Sequence, residues 1–300
     1  MKKFFGGVSA APVALISLMG AVPALAENTE ETAVETSESA AADLTFDMAA
    51  QPKPAAINID TDFARASAPL TGDESALGAE SGITFSANVA LTSEYRFRGV
   101  DLSGGNIAVQ GGFDASHSSG FYVGTWASNL DEQTVGFGSL ELDLYGGWSG
   151  NLTDAVSLDI GAIAYLYPDA GPGEFDYYEA YGSVGLSLGP VSSTTGIAYA
   201  FSQEGLDFGG GQRDNFYIYQ DFSLGIPETP ITLNAHVGYT DGVLTFTNDS
   251  KAFDWSLSAD VALGGNFSAS LAYVDAEGDI APGAYNFTDA AVVATLSASF

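Results

Sequence analysis

Between Ser81 and Phe300 apolar and polar residues alternate with a period of two in one segment after another, and no other feature limits the fold so narrowly. The last ten residues place Val292, Ala294, Leu296, Ala298 and Phe300 on one side, with Val293, Thr295, Ser297 and Ser299 on the other. The first such segment sets Ile83, Phe85, Ala87, Val89, Leu91, Ser93, Tyr95 and Phe97 against Thr84, Ser86, Asn88, Ala90, Thr92, Glu94, Arg96 and Arg98. The same parity returns in Leu140, Leu142 and Leu144, in Val156, Leu158 and Ile160, and in Trp255, Leu257 and Ala259. An amphipathic helix would repeat near every 3.6 residues, and these segments do not. They read as strands with one apolar and one polar face.

About twelve such strands can be counted, starting near residues 83, 107, 120, 139, 156, 176, 193, 215, 231, 254, 267 and 290, with the first running to Arg98. Most have a length near the ~9 to 11 residues that a tilted membrane strand requires. The links alternate in character: those at 99–106, 130–138, 168–175, 203–214, 241–253 and 276–289 are long, and the five between them are shorter. A secreted β-sandwich also alternates along its strands, but it gives no reason for connection lengths to alternate or for the final strand to close on an aromatic. The expected fold is all-β: a transmembrane antiparallel up-and-down barrel of about twelve strands over residues 81–300. An even strand number puts both termini on one side, expected to be the periplasm of a Gram-negative cell, and places the barrel in the outer membrane.

The front of the chain agrees about compartment. Lys2 and Lys3 precede an apolar stretch over 4–22, and Ala24-Leu25-Ala26 supplies the small residues of a cleavage site, so residues 1–26 read as a signal peptide. Residues 27–80 carry twelve acidic side chains against Lys53 and Arg65, with little apolar content; such a segment cannot offset its chain entropy by burial and is expected to be a disordered acidic periplasmic extension. There is no cysteine, so neither a disulfide framework nor a lipidated N-terminal Cys is available.

Strand parity then assigns a lumen. Its wall is expected to carry Glu94, Arg96, Arg98, Asp114, Glu141, Asp143, Asp159, Glu179, Asp221 and Asp260, interleaved with Tyr122, Trp126, Tyr165, Tyr217 and Tyr219. Eight of these charges are negative and two positive, which favours cations in a pore. Catalysis is not expected: the two histidines, His117 and His236, do not converge with a nucleophile, and no Gly-x-Ser-x-Gly elbow occurs. No cofactor or metal is expected either, because the acidic loops 206–215 and 275–289 lack the ligand spacing of a calcium loop. A net charge of −30 repels phosphate and argues against nucleic acid as a partner.

Three stretches carry a resemblance: Leu91-Thr92-Ser93-Glu94-Tyr95-Arg96-Phe97-Arg98-Gly99-Val100, then Val109-Gln110-Gly111-Gly112-Phe113-Asp114, then Gly120-Phe121-Tyr122-Val123-Gly124-Thr125-Trp126-Ala127-Ser128-Asn129. Together they resemble the TorF family of porins, a group formerly of unknown function, with Tyr165-Leu166-Tyr167-Pro168 and Asp176 to Gly182 as weaker echoes. Ile107 departs from the proline of that pattern. The resemblance implies an outer-membrane channel for passive diffusion of small polar solutes or ions; the competing expectation is a non-conducting barrel with an adhesive or structural role. Phe300 resembles the terminal signature through which the barrel-assembly machinery recognises its clients, so lipid, that machinery and small solutes or ions are the expected partners.

Overall fold

A computed structural model describes residues 82–134, 136–170, 175–209, 211, 213–280 and 285–300. The expected signal peptide and acidic extension lie outside the described residues. Twelve antiparallel strands close into a barrel: β1 (Ile83–Thr92), β4 (Ala108–His117), β5 (Phe121–Asn129), β6 (Leu140–Asn151), β7 (Val156–Leu166), β8 (Tyr177–Leu188), β9 (Val191–Ala200), β10 (Asn215–Gly225), β11 (Ile231–Gly242), β12 (Lys251–Gly264), β13 (Phe267–Ala276) and β14 (Ala291–Ser299). Two short strands, β2 (Arg96–Phe97) and β3 (Val100–Asp101), form a separate hairpin. Every barrel strand pairs with its neighbours along the chain, and the ring closes where β1 pairs with both β4 and β14.

Closure leaves no edge strand and gives each backbone donor a partner across a seam, which is the requirement for a sheet in an apolar medium. At the junction the final residue joins in, with Phe300 N–H donating to Ala87 O at 2.8 Å and Ala87 N–H to Phe300 O at 2.9 Å. The apolar parity faces outward. Phe85, Val89, Leu91, Val123, Leu144, Ile160, Val184, Leu257 and Leu271 are all exposed, while Asn88, Glu141, Asp159 and Glu179 are buried inside. Outward aromatics gather at the two rims: Phe85, Phe113, Phe121, Phe222, Phe267 and Phe300 near the short turns, and Tyr178, Tyr199, Phe201, Phe253, Trp255 and Tyr273 near the long loops. That is an inside-out protein, with the distribution expected of a lipid-facing band between two aromatic girdles.

The first strand differs from its expected span. It stops at Thr92 rather than Arg98, because Thr92 Oγ1 turns to donate to Glu94 O (3.0 Å) and the chain leaves the wall there. The apolar residues Tyr95 and Phe97 preserve the alternation in sequence, yet both are buried inside the barrel rather than on its outer face.

Inside, large and absent side chains meet across the strands. Tyr122 stands opposite Gly147, Tyr145 opposite Gly124, Tyr181 opposite Gly161 and Tyr219 opposite Gly196 in register. In each pair the ring or hydroxyl occupies the place a Cβ would take, so the ring lies against the wall over its glycine. We expect Gly161→Ala to force the Tyr181 ring off that wall and cost about 1 to 3 kcal/mol, the usual range for overpacking. Gly225→Ala, where the space is open, should leave stability unchanged. Urea midpoints of the two variants refolded in lipid vesicles make the comparison.

Candidate functional site

The departure of the chain from β1 builds the central feature of the lumen. Arg96 and Phe97 pair with Asp101 and Val100, so Arg98 and Gly99 form a two-residue turn. Both have positive φ, 48° and 77°, the combination that matches a type I′ turn to the twist of a hairpin. Glycine adopts this conformation freely, whereas for arginine it stores strain of order 1 to 3 kcal/mol that the surroundings must hold. At Gly99 the turn abuts the Asp254 and Ala276 side chains, leaving no room for a Cβ.

The base of the hairpin is tied by its own backbone and by one carboxylate. Leu102 N–H donates to Tyr95 O at 2.9 Å, and Tyr95 N–H to Ser103 Oγ at 2.9 Å. The Asp101 carboxylate accepts from Ser103 N–H (2.8 Å), Gly105 N–H (2.6 Å) and the Tyr285 hydroxyl (2.6 Å), while Asp101 N–H reaches Phe287 O at 2.8 Å. Arg96 pairs with Glu94 and donates to Gly99 O and Phe287 O at 2.9 and 3.1 Å. Burial pushes the Glu94 carboxyl above its ordinary value and Arg96 opposes that rise.

The tip reaches the far wall. Arg98 Nη2 donates to Glu179 Oε2 on β8 at 2.7 Å, and its guanidinium lies 4.3 Å from the centroid of the Tyr217 ring on β10 and 4.8 Å from that of Phe97. Strands β8 and β10 flank β9, which stands six places round the ring from β1 and therefore opposite it. Along the way Tyr95 donates to Glu141 Oε1 (2.8 Å) and meets Trp126 edge-on at 5.4 Å, while Phe97 meets Tyr165 at 5.6 Å. Tyr165 also donates to Glu179 Oε2, at 3.3 Å. The hairpin thus spans the lumen and is held on both sides.

Glu94, Arg96 and Arg98 accordingly do not stand on the β1 wall, where alternation along an unbroken strand would put them; the two arginines belong to the inserted hairpin and Glu94 immediately precedes it. Asp114, Tyr122, Trp126, Glu141, Asp143, Asp159, Tyr165, Glu179, Tyr217, Tyr219, Asp221 and Asp260 lie on the inner face of their strands. Their hydrogen bonds fall into two groups. On one side Tyr145 donates to Asp114, and Tyr122 donates to Asp159 at 2.8 Å beside the Tyr181 hydroxyl. On the other, His236 is clamped between Asp221 at Nδ1 (2.6 Å) and Asp254 at Nε2 (2.9 Å), with Tyr217 donating to Asp254 at 3.2 Å and Asn234 donating to Asp260 at 2.9 Å.

Both ring nitrogens of His236 face carboxylates, and the Tyr217 hydroxyl lies 2.9 Å from Nε2. Parity along its strand reads His236 as a wall residue, whereas Asp254 was absent from the wall so expected. The signal was available: His236 shares parity with Asn234, and Asp254 with Asp260, but parity along one strand does not show which residues of neighbouring strands meet. Towards the short turns the inner face carries small hydroxyl residues instead, among them Ser86, Ser116, Ser157, Thr194, Ser223 and Ser268. Among the described residues no cluster of three or more His, Asp or Glu is arranged to hold a metal ion.

A buried ion pair costs most when one partner is removed, about 3 to 5 kcal/mol, because the other charge is stranded. Glu179→Gln and Arg98→Gln should therefore each destabilise the seated hairpin, and the double variant should lose less than the sum of the two. The measurement is protection of the 95–103 segment from added protease in each variant. Strictly additive losses would show that the two side chains do not act as a pair.

Among curated protein sequences none matches this chain. Solved structures resemble its barrel at low identity. A KdgM porin is 8% identical with a TM-score of 0.48, covering 72% of this chain and 98% of that one. A NanC porin is 10% identical with a TM-score of 0.46, covering 72% and 98%. The COG4313 outer-membrane channel from Pseudomonas putida F1 is 9% identical with a TM-score of 0.45, covering 72% and 94%. The sequence itself matches a family profile over residues 76–300, and by that match the chain belongs to the Gcw_chp family, described as a bacterial protein of unknown function.

Proposed function

We propose that this protein is an outer-membrane channel through which small cations and small polar solutes diffuse passively, with the Tyr95–Ser103 hairpin as its constriction. The observation that carries this reading is a closed ring of strands, apolar outside and acidic within, crossed by a segment anchored at its tip. A band of exposed Phe, Leu, Val and Ile encircling the barrel far exceeds the few hundred Å² of contiguous apolar surface that soluble proteins expose, and a hydrocarbon surround removes that cost. Inside, Asp114, Glu141, Asp143, Asp159, Glu179, Asp221, Asp254 and Asp260 outnumber Arg98 and His236, which supports preference for cations. The resemblance of residues 91–129 to TorF porins agrees with the reading.

In the same proposal the long loops face outward and both termini face the periplasm. Phe300, paired with Ala87 and 58% exposed at the turn-side rim, is the contact for the assembly machinery. A second reading, a closed barrel with a structural role, draws on the near-complete burial of both Arg98 and Glu179.

Planar-bilayer recording separates the two. The wild type should pass a small, cation-selective current, and replacing residues 94–103 by a short Gly-Ser linker should raise the conductance several-fold while keeping the sign of selectivity. Silence from both proteins overturns the channel. Orientation is tested on intact cells with a membrane-impermeant maleimide, which the cysteine-free chain makes clean. Asn248→Cys, in a long loop, should label, and Asn266→Cys, in a short turn, should not. The reverse pattern turns the barrel over.

A further inference from the structure

Beyond the polar lumen, the loop end holds a cavity of opposite character. It measures about 280 Å³ and is bounded by the hairpin and three loops: Phe97, Val100 and Leu102 form one side, with Phe137, Phe208 and the Val243–Phe246 segment around them. No charged side chain lines it, and six of its eleven lining residues are aromatic. Two of its three polar side chains are already engaged. The Tyr167 hydroxyl hydrogen-bonds Glu141, and the Thr245 hydroxyl donates to Gly242 O at 2.9 Å.

We propose that this cavity is a binding site for a small uncharged aromatic compound of one or two rings. Three properties point to that chemistry. A pocket with no charged side chain and two of its three hydroxyls already engaged offers a ligand little hydrogen bonding, so a charged or strongly polar occupant would lose its hydration without replacement. An apolar cavity of about 150 Å³ lined by aliphatic and aromatic residues stays dry and takes up benzene. The cavity here has room for one or two such rings.

The rings around it are also spaced for one more. Phe137 lies 4.9 Å from Tyr167, 5.7 Å from Phe175 and 6.1 Å from Phe208, centroid to centroid. Those separations fall within the range of offset and edge-to-face aromatic pairs, so a guest ring can join the same cluster. Phe208 is 47% exposed, far more than Phe97, Tyr167 or Tyr177. Tyr167 joins the site to Glu141 of the inner wall, yet binding there does not depend on whether ions pass.

Fluorobenzene, followed by fluorine NMR, tests the assignment on the full-length barrel in phospholipid nanodiscs, with empty nanodiscs as the reference for partition into lipid. The expected result is saturable line broadening above that reference, reaching one equivalent per barrel. Leu244→Trp, which fills the cavity, should weaken binding at least tenfold, and Val243→Phe serves where that variant does not fold. Leu257→Trp, on the exposed outer face, should bind as the wild type does. Toluene should displace the probe and hexane should not. Absence of saturable binding, unchanged binding by the folded filled variant, or displacement by hexane as effective as by toluene would each overturn the proposal.

Discussion

Closure of the sheet is the constraint from which everything else in this protein follows. A strand in an apolar surround has no water to satisfy its edge, so the first and last strands must pair. The seam that does this is the shortest of the ring. β1 meets β14 over the five pairs from Asn88↔Ser299 to Thr92↔Thr295, whereas β1 and β4 match over ten. Phe300 extends the short seam by its mutual bonds with Ala87. Once the ring is closed, a period of two along each strand becomes an inside and an outside, and every side chain has its medium chosen for it.

The interior then has to be occupied. Eight strands can fill their own bore with side chains, and sixteen leave an aqueous channel; twelve stand between. This chain fills its bore in two ways. Tyrosines lie against the wall over glycines, and the β2–β3 hairpin crosses the lumen at the loop end. The first device organises the carboxylates, because two of the tyrosine hydroxyls come to rest beside one: Tyr122 beside Asp159, Tyr145 beside Asp114. The second brings the arginines that the wall lacks. Arg98 can hold its left-handed backbone only because Glu179 and the Tyr217 ring fix its side chain.

Much of this was legible in the residues. Alternation locates the strands closely: β10 was expected to start near 215 and begins at Asn215, and β5 begins one residue from its expected start. It also suffices to set Glu141 and Glu179 on an inner face. It fails at Ser93–Arg98 for a definite reason. A hairpin folded inside a barrel is itself a pair of strands, so Tyr95 and Phe97 continue the period while pointing into the lumen. The warning lay in Arg98-Gly99, a turn-forming pair followed by Gly104 and Gly105. The clamp on His236 was illegible for a different reason, since Asp221 and Asp254 come from two other strands and meet it only through cross-strand register.

The tyrosine and glycine pairs bear on how such a barrel can change over time. In each pair one side chain supplies the whole volume and the other supplies none, so a reciprocal exchange across the seam conserves volume while carrying the hydroxyl from one strand to the next. Either substitution made first passes through a crowded or a hollow intermediate. Hydroxyl positions inside the barrel can therefore migrate round its circumference in paired steps, with the outer surface and the strand register left as they were.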